Sequence, residues 1–188
     1  METTIDRIRN LVAQGMWKVS DHAADEMDED GILPADVLNG VQSAVVVEDY
    51  PTFAKGPCVL VLQSDGARKA LHVVWRNSRG SDSAGRCRDR IPPGPRSMVR
   101  GFSAETAMTS PTSPTSPASR KRIKRVHEGE YVAEIEVSLT DFNQPWGPYL
   151  ENEDVMKLDS VRRALRSGDV RQAAQYGRVF RLIPVPAA

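Results

Sequence analysis

His22 and His72 are the residues in this sequence best suited to move a proton, because imidazole titrates near neutral pH without a large shift. His22 follows Ser20 and Asp21 at the start of a helical pattern, where the positive helix end would keep the ring neutral and ready to act as a base. His72 falls in the middle of an apolar run that reads as a strand. Arg68 and Lys69 come just after a turn sequence and form a paired cation suited to phosphate oxygens, with Lys55 further off. A base, an acid and cations together are what phosphodiester cleavage requires. Each residue also has a plain structural reading. His22 could bond a neighbouring loop, His72 could be a half-buried strand residue, and Arg68 and Lys69 could be solvated.

Other chemistries have less to work with. Cys58 and Cys87 are too few and too far apart for a disulfide framework or a metal knuckle, and Cys58 reads as a small buried hydrophobe. Residues 126–188 offer no nucleophile with a base, no metal cluster and no phosphate loop, so neither a cofactor nor a metal is expected. No leader sequence, lipidation motif or long apolar span is present, so the expectation is a cytoplasmic protein with no membrane contact. Formal net charge is zero but uneven: residues 1–75 carry twelve Asp/Glu against six Lys/Arg, and residues 76–100 carry seven Arg against two Asp.

The elements that would position these groups can be read from periodicity. Ile5, Ile8, Leu11 and Val12 recur at helical spacing up to Gly15. Ser20 is the expected N-cap of a helix over 21–30, which Gly31 would stop. Pro34 fits the first turn of a third helix carrying Val37, Leu38 and Val41. Apolar runs at 44–47, 59–62 and 68–75 read as strands, with a hairpin turn at Ser64-Asp65-Gly66. The expected class is α+β, with N-terminal helices packed on a small antiparallel sheet.

The segments SDHAADEMDEDGILPADVLNGV, VVVEDYPTFAKGPCVLVLQSDG and ALHVVW, in that order over residues 4–75, resemble the domain of unknown function 4258 family. That family is grouped with RelE- and BrnT-like toxins, small α+β proteins that include RNA endonucleases. The resemblance therefore implies a RelE-like fold, RNA or the ribosome as partner for residues 1–75, and catalytic roles for His22, His72, Arg68 and Lys69. Charge argues against it. Asp21, Asp25, Glu26, Asp28, Glu29 and Asp30 crowd one short helix, which would repel a polyanion. That acidic helix either stands in solvent or faces a basic protein partner.

Residues 76–107 read as a protein translated out of phase. Met98-Val99 must be encoded ATG-GTN, so the next frame reads TGG, tryptophan; Met108-Thr109 must be ATG-ACN, so the same frame reads TGA, a stop. Permitted codons from Arg76 can be re-read as GIPEGRTAPAVVVTAYRPDPAPWSEG, which resembles the continuation of the same family. The expectation is one extra base near the Trp75 codon, fusing an upstream gene that has lost its last strand to its downstream neighbour. Residues 76–107 would then be an out-of-phase disordered segment, and 108–125 a Ser/Thr/Pro-rich and basic tether.

Residues 126–188 read as a small β-α-α-β unit. Tyr131, Ala133, Ile135, Val137 and Leu139 alternate with polar positions, and Val155, Leu158, Val161 and Leu165 mark a helix ending at Gly168. Asp169 would cap a shorter helix, and residues 179–185 a closing strand. Arg162, Arg163, Arg166 and Arg171 are expected on exposed helical faces. The segments GEYVAEIEVSL, WGPYL, LDSVRRALRSGD and VFRLIPV resemble small bacterial proteins, some of them encoded beside toxin-like genes. Protein binding is the expected role, because a small domain with little hydrophobic core often completes it on a partner. The leading expectation is thus a frameshift fusion of an impaired RelE/BrnT-like endoribonuclease with its partner protein. Its rival is a non-catalytic protein-binding module that works through the acidic helix or through residues 126–188.

Overall fold

The computed structural model describes residues 3–53, 56–78, 98–105, 118–141 and 147–184. Helix α1 (Thr4–Ala13) opens on a reciprocal cap: the Thr3 hydroxyl accepts from the Asp6 amide, and the Asp6 carboxylate accepts from the Thr3 amide. Its buried stripe is Ile5, Ile8 and Leu11. Strand β1 (Trp17–Ser20), absent from the sequence reading, leads straight into α2 (Asp21–Asp30). Four residues are too few to display a period, so β1 becomes visible only through its pairing partners.

Both predicted ends of α2 are present. The buried Ser20 hydroxyl accepts from the Ala23 amide at 3.1 Å, and Gly31 closes the helix at φ +66°, where a side chain would be strained. Ser20→Ala should therefore cost about 1 kcal/mol. A denaturant titration checks this, and an unchanged midpoint would show that the cap contributes nothing.

Helix α3 (Pro34–Gly40) and a 3₁₀ turn (Val41–Ser43) lead into the antiparallel meander β2 (Val45–Tyr50), β3 (Cys58–Ser64) and β4 (Ala70–Ser78). Then follow β5 (Met98–Glu105), β6 (Ala118–Glu128), β7 (Tyr131–Asp141), β8 (Tyr149–Leu150), α4 (Asn152–Arg166), α5 (Val170–Ala173) and β9 (Arg178–Arg181). The strands form one sheet in the order β2-β3-β4-β5-β1-β8-β7-β6, with β9 also beside β7. It is mixed, because β5 runs parallel to β4 and antiparallel to β1.

Four expectations need correction. Arg76, Asn77 and Ser78 continue β4, and residues 98–105 form β5, so part of the segment expected to be disordered is strand. The remainder of that segment, 79–97 and 106–107, lies outside the described residues. The edge of β4 expected to be left open by a lost strand is taken by β5. Residues 118–125 of the expected tether belong to β6, which pairs with β7 along its whole length; residues 108–117 lie outside the described residues. Composition misled here because ladder hydrogen bonds are made by the backbone, whatever the side chain. Finally, the expected β-α-α-β stretch contains β7, β8, α4, the four-residue α5 and β9, with β6 ahead of them.

The helices cover one face of the sheet. The core beneath them runs through both halves of the chain: Ile8, Val37 and Trp75 belong to the same cluster as Ile135, Leu139, Val161 and Leu165. On the opposite face a smaller cluster joins Cys58, Leu60 and Val74, with Tyr50 and Phe53 packed against it.

Candidate functional site

On β4 the side chains of Leu71, Val73 and Trp75 enter the core under the helices, and strand alternation turns His72 to the other face. His72 is half-buried there, paired across the strands with Leu62. Arg68 and Lys69 close the β3–β4 hairpin. Arg68 takes φ +63°, and the Asp65 carboxylate accepts from the Lys69 amide at 2.7 Å. Both are exposed and lie a few residues from His72 along the same hairpin. His22 is elsewhere. It sits in the first turn of α2, on the helical side, with its side chain 70% exposed and Nε2 3.3 Å from Glu26 Oε1. The sheet thus separates His22 from His72, while Arg68 and Lys69 sit at the end of the sheet in the hairpin turn. Lys55 lies outside the described residues.

Cys58 is fully buried, and burial pushes its thiol up to about 11, so the reactive thiolate is scarce at neutral pH. Burial, and after it the neighbouring Glu48 carboxylate, pushes the Tyr50 phenol up to about 12.

Among the described residues, the densest gathering of ionisable groups lies instead where α2 meets β6 and α4. Asp21, Asp25 and Asp28 are spaced i, i+4 and i+7, so a helix places them on one side. Alternation along β6 turns Arg122 and Lys124 to that side, in the row that continues to buried Val126. Lys124 Nζ is 2.6 Å from both Asp21 Oδ1 and Asp25 Oδ1 and donates to the Asp21 carbonyl at 2.9 Å. Arg122 pairs with Asp21. One turn further along α2, Asp28 pairs with Arg162 of α4, and Glu128 accepts from Arg166 at 3.0 Å. Arg166 also donates to the Gly31 carbonyl, tying the end of α2 to α4.

Two of these cations are buried among charges. Lys124 is 5% exposed and Arg162 4%. Burial raises the Asp28 pKa despite the nearby guanidinium, and burial lowers that of Arg162 despite Asp28 and Glu128. Both partners therefore move towards neutrality, so desolvation exceeds their mutual attraction. Such a pair adds little net stability, although removing one member leaves the other buried and uncompensated.

Asp159 makes a second connection. Helix α3 begins at Leu33, which has no capping side chain, and at Pro34, which has no amide hydrogen. The free Ala35 amide donates instead to Asp159 Oδ1 of α4 at 3.1 Å, while Arg163 holds the other carboxylate oxygen at 2.6 Å. The chain then couples at the backbone, with the Asp21 amide donating to the Pro148 carbonyl and Val19 paired with Leu150.

Neither Arg162 nor Asp159 was found by sequence reasoning, and Arg162 corrects the expectation of an exposed arginine. The spacing did contain a clue. Arg162 is i+7 from Val155 and i+4 from Leu158, on the apolar stripe of α4 and off its solvent side.

Residues 19–82 match a family described as a domain of unknown function, DUF4258. The match covers about a third of the chain. It begins within β1, leaving out α1, and runs seven residues past Trp75 into the stretch that the codon argument places out of phase. No curated protein and no solved structure matches the chain. Among the described residues, no helix is long and apolar enough to cross a membrane.

Proposed function

We propose that this chain joins a toxin-family-like unit to a partner-like unit that grips its acidic helix, and that it works by protein–protein association. One observation carries the reading: the carboxylates of α2, which would repel RNA, are met by Arg122, Lys124 and Arg162 from the second half of the sequence. The Asp159 contact supports it as well, because a buried carboxylate from one half completes a helix of the other. An accidental join of unrelated sequences has no reason to match charges in this way. The RelE/BrnT grouping and the origin of the chain in a change of reading frame belong to the same proposal. Any endoribonuclease activity of the upstream unit would be impaired, because the sheet lies between His22 and His72. Sequencing the locus in a sister strain tests the frame: an uninterrupted gene in one phase sinks that part.

The association is tested by placing a specific protease site within residues 106–117 and cutting the purified chain. Those residues bridge β5 and β6, four strands apart in the sheet, and the contacts described above do not pass through them. The two fragments should co-elute at moderate salt and come apart at high salt when Lys124 is replaced by alanine. Fragments that separate immediately after the cut overturn the reading. The same preparations are offered RNA. Cleavage by the intact chain that falls by roughly 10²–10⁴-fold in His72→Ala or in Arg68→Ala/Lys69→Ala would restore the enzyme reading at that hairpin. A comparable loss in His22→Ala would place the chemistry on α2.

A further inference from the structure

We propose that β2 is the seam of a symmetric dimer, pairing antiparallel with β2 of a second copy of this chain. β2 ends the sheet and pairs only with β3 among the described residues, so its outer backbone groups have no strand partner there. Ahead of its bulge and acidic end it presents three consecutive exposed valines: Val45, Val46 and Val47 are 64%, 41% and 52% exposed.

Charge selects a second copy as the occupant. Acidic side chains follow the valines at one end of the strand, Glu48 and Asp49. At the other end Arg9 of α1, which also pairs with Asp6 at 3.4 Å, donates to the Ala44 carbonyl at 2.8 Å and to the Val41 carbonyl at 3.2 Å. A two-fold axis near Val46 sets valines against valines and brings each copy's acidic end to the other's Arg9 end. Asp49 lies across from Val59, whose side chain enters the core on the helical face, so its carboxylate is on the same face as α1 and Arg9. A parallel pairing would set Glu48 and Asp49 against their own copies, which like charges disfavour. The β-bulge between Val46 and Glu48 turns the strand and confines close pairing to its valine end. So short a seam buries less than the roughly 1,200–2,000 Å² of a standard stable interface, so the dimer should be weak.

Sedimentation velocity on the intact chain, from about 1 μM to about 300 μM, reads this directly, with half-dimerisation expected at tens of micromolar. Hydrogen exchange on the same samples should show the outward-facing amides of β2 slowing as concentration rises. Val46→Lys sets a charge in the centre of the seam and should leave the protein monomeric throughout the range. Because Val46 is exposed, the melting temperature of the dilute monomer should be unchanged. Asp49→Lys should weaken the dimer about tenfold or more. A wild-type chain that stays monomeric at the highest concentration overturns the proposal. So does a dimer that survives Val46→Lys, or β2 amides whose exchange ignores concentration. None of these results depends on whether the two halves stay together after cutting.

Discussion

Arg162→Ala should destabilise the fold by about 3 kcal/mol, because removing one member of a buried pair strands the other. The guanidinium is nearly inaccessible and serves Asp28, the Asp28 carbonyl and Glu128 together. Alanine leaves Asp28 desolvated with its principal cation gone. The pH dependence distinguishes this from simple loss of packing. Asp28 already sits above its ordinary 3.8 because of burial, and Arg162 is the main influence holding it down. Without Arg162 its folded pKa should climb further. A carboxyl raised in the folded state weakens the fold above that folded pKa, and the cost fades as pH falls through it towards the unfolded value. The deficit of Arg162→Ala should therefore be widest at neutral pH and shrink on acidification. Urea titrations across that range provide the measurement. A deficit under about 1 kcal/mol, typical of an exposed pair, would contradict the buried-pair description.

Trp75→Ala should be more damaging still, by about 4 kcal/mol from lost transfer energy and the cavity left behind. Trp75 is 0% exposed and lies in β4, between its partners in β3 and β5 and beneath the helices. A domain of this size has roughly 5–15 kcal/mol in hand, so the variant should melt far below the parent or fail to accumulate. A fall in stability below about 2 kcal/mol would mean that the core closes over the gap, which close packing around a large ring argues against.

What the sequence disclosed, and what it hid, follows from the range of the forces involved. The ends of α2 were legible because Ser20 and Gly31 act on backbone groups a few residues away. The stripe of α1 and the β2–β4 meander were legible because their periods repeat within a short window. β6 was not. Its cations read as a tether because the carboxylates that receive Arg122 and Lys124 lie about a hundred residues upstream, beyond any local pattern. The same distance hid Asp159, whose use is known only once α3 is seen without a cap. The candidate residues His22, His72, Arg68 and Lys69 were easy to name by type. That His22 and His72 lie on opposite sides of the sheet required the strand alternation and the helix placement together.

The remote cap on α3 sets an order of events during synthesis. The amino-terminal helices leave the ribosome well before Asp159 exists, so α3 must wait with its first amide open to water. β1 waits too, since its neighbours are residues 98–105 on one side and 149–150 on the other. A chain whose early elements are completed by late ones folds slowly and exposes apolar surface while it is made. The amino-terminal portion of a nascent or truncated chain is therefore the stretch on which chaperones would act.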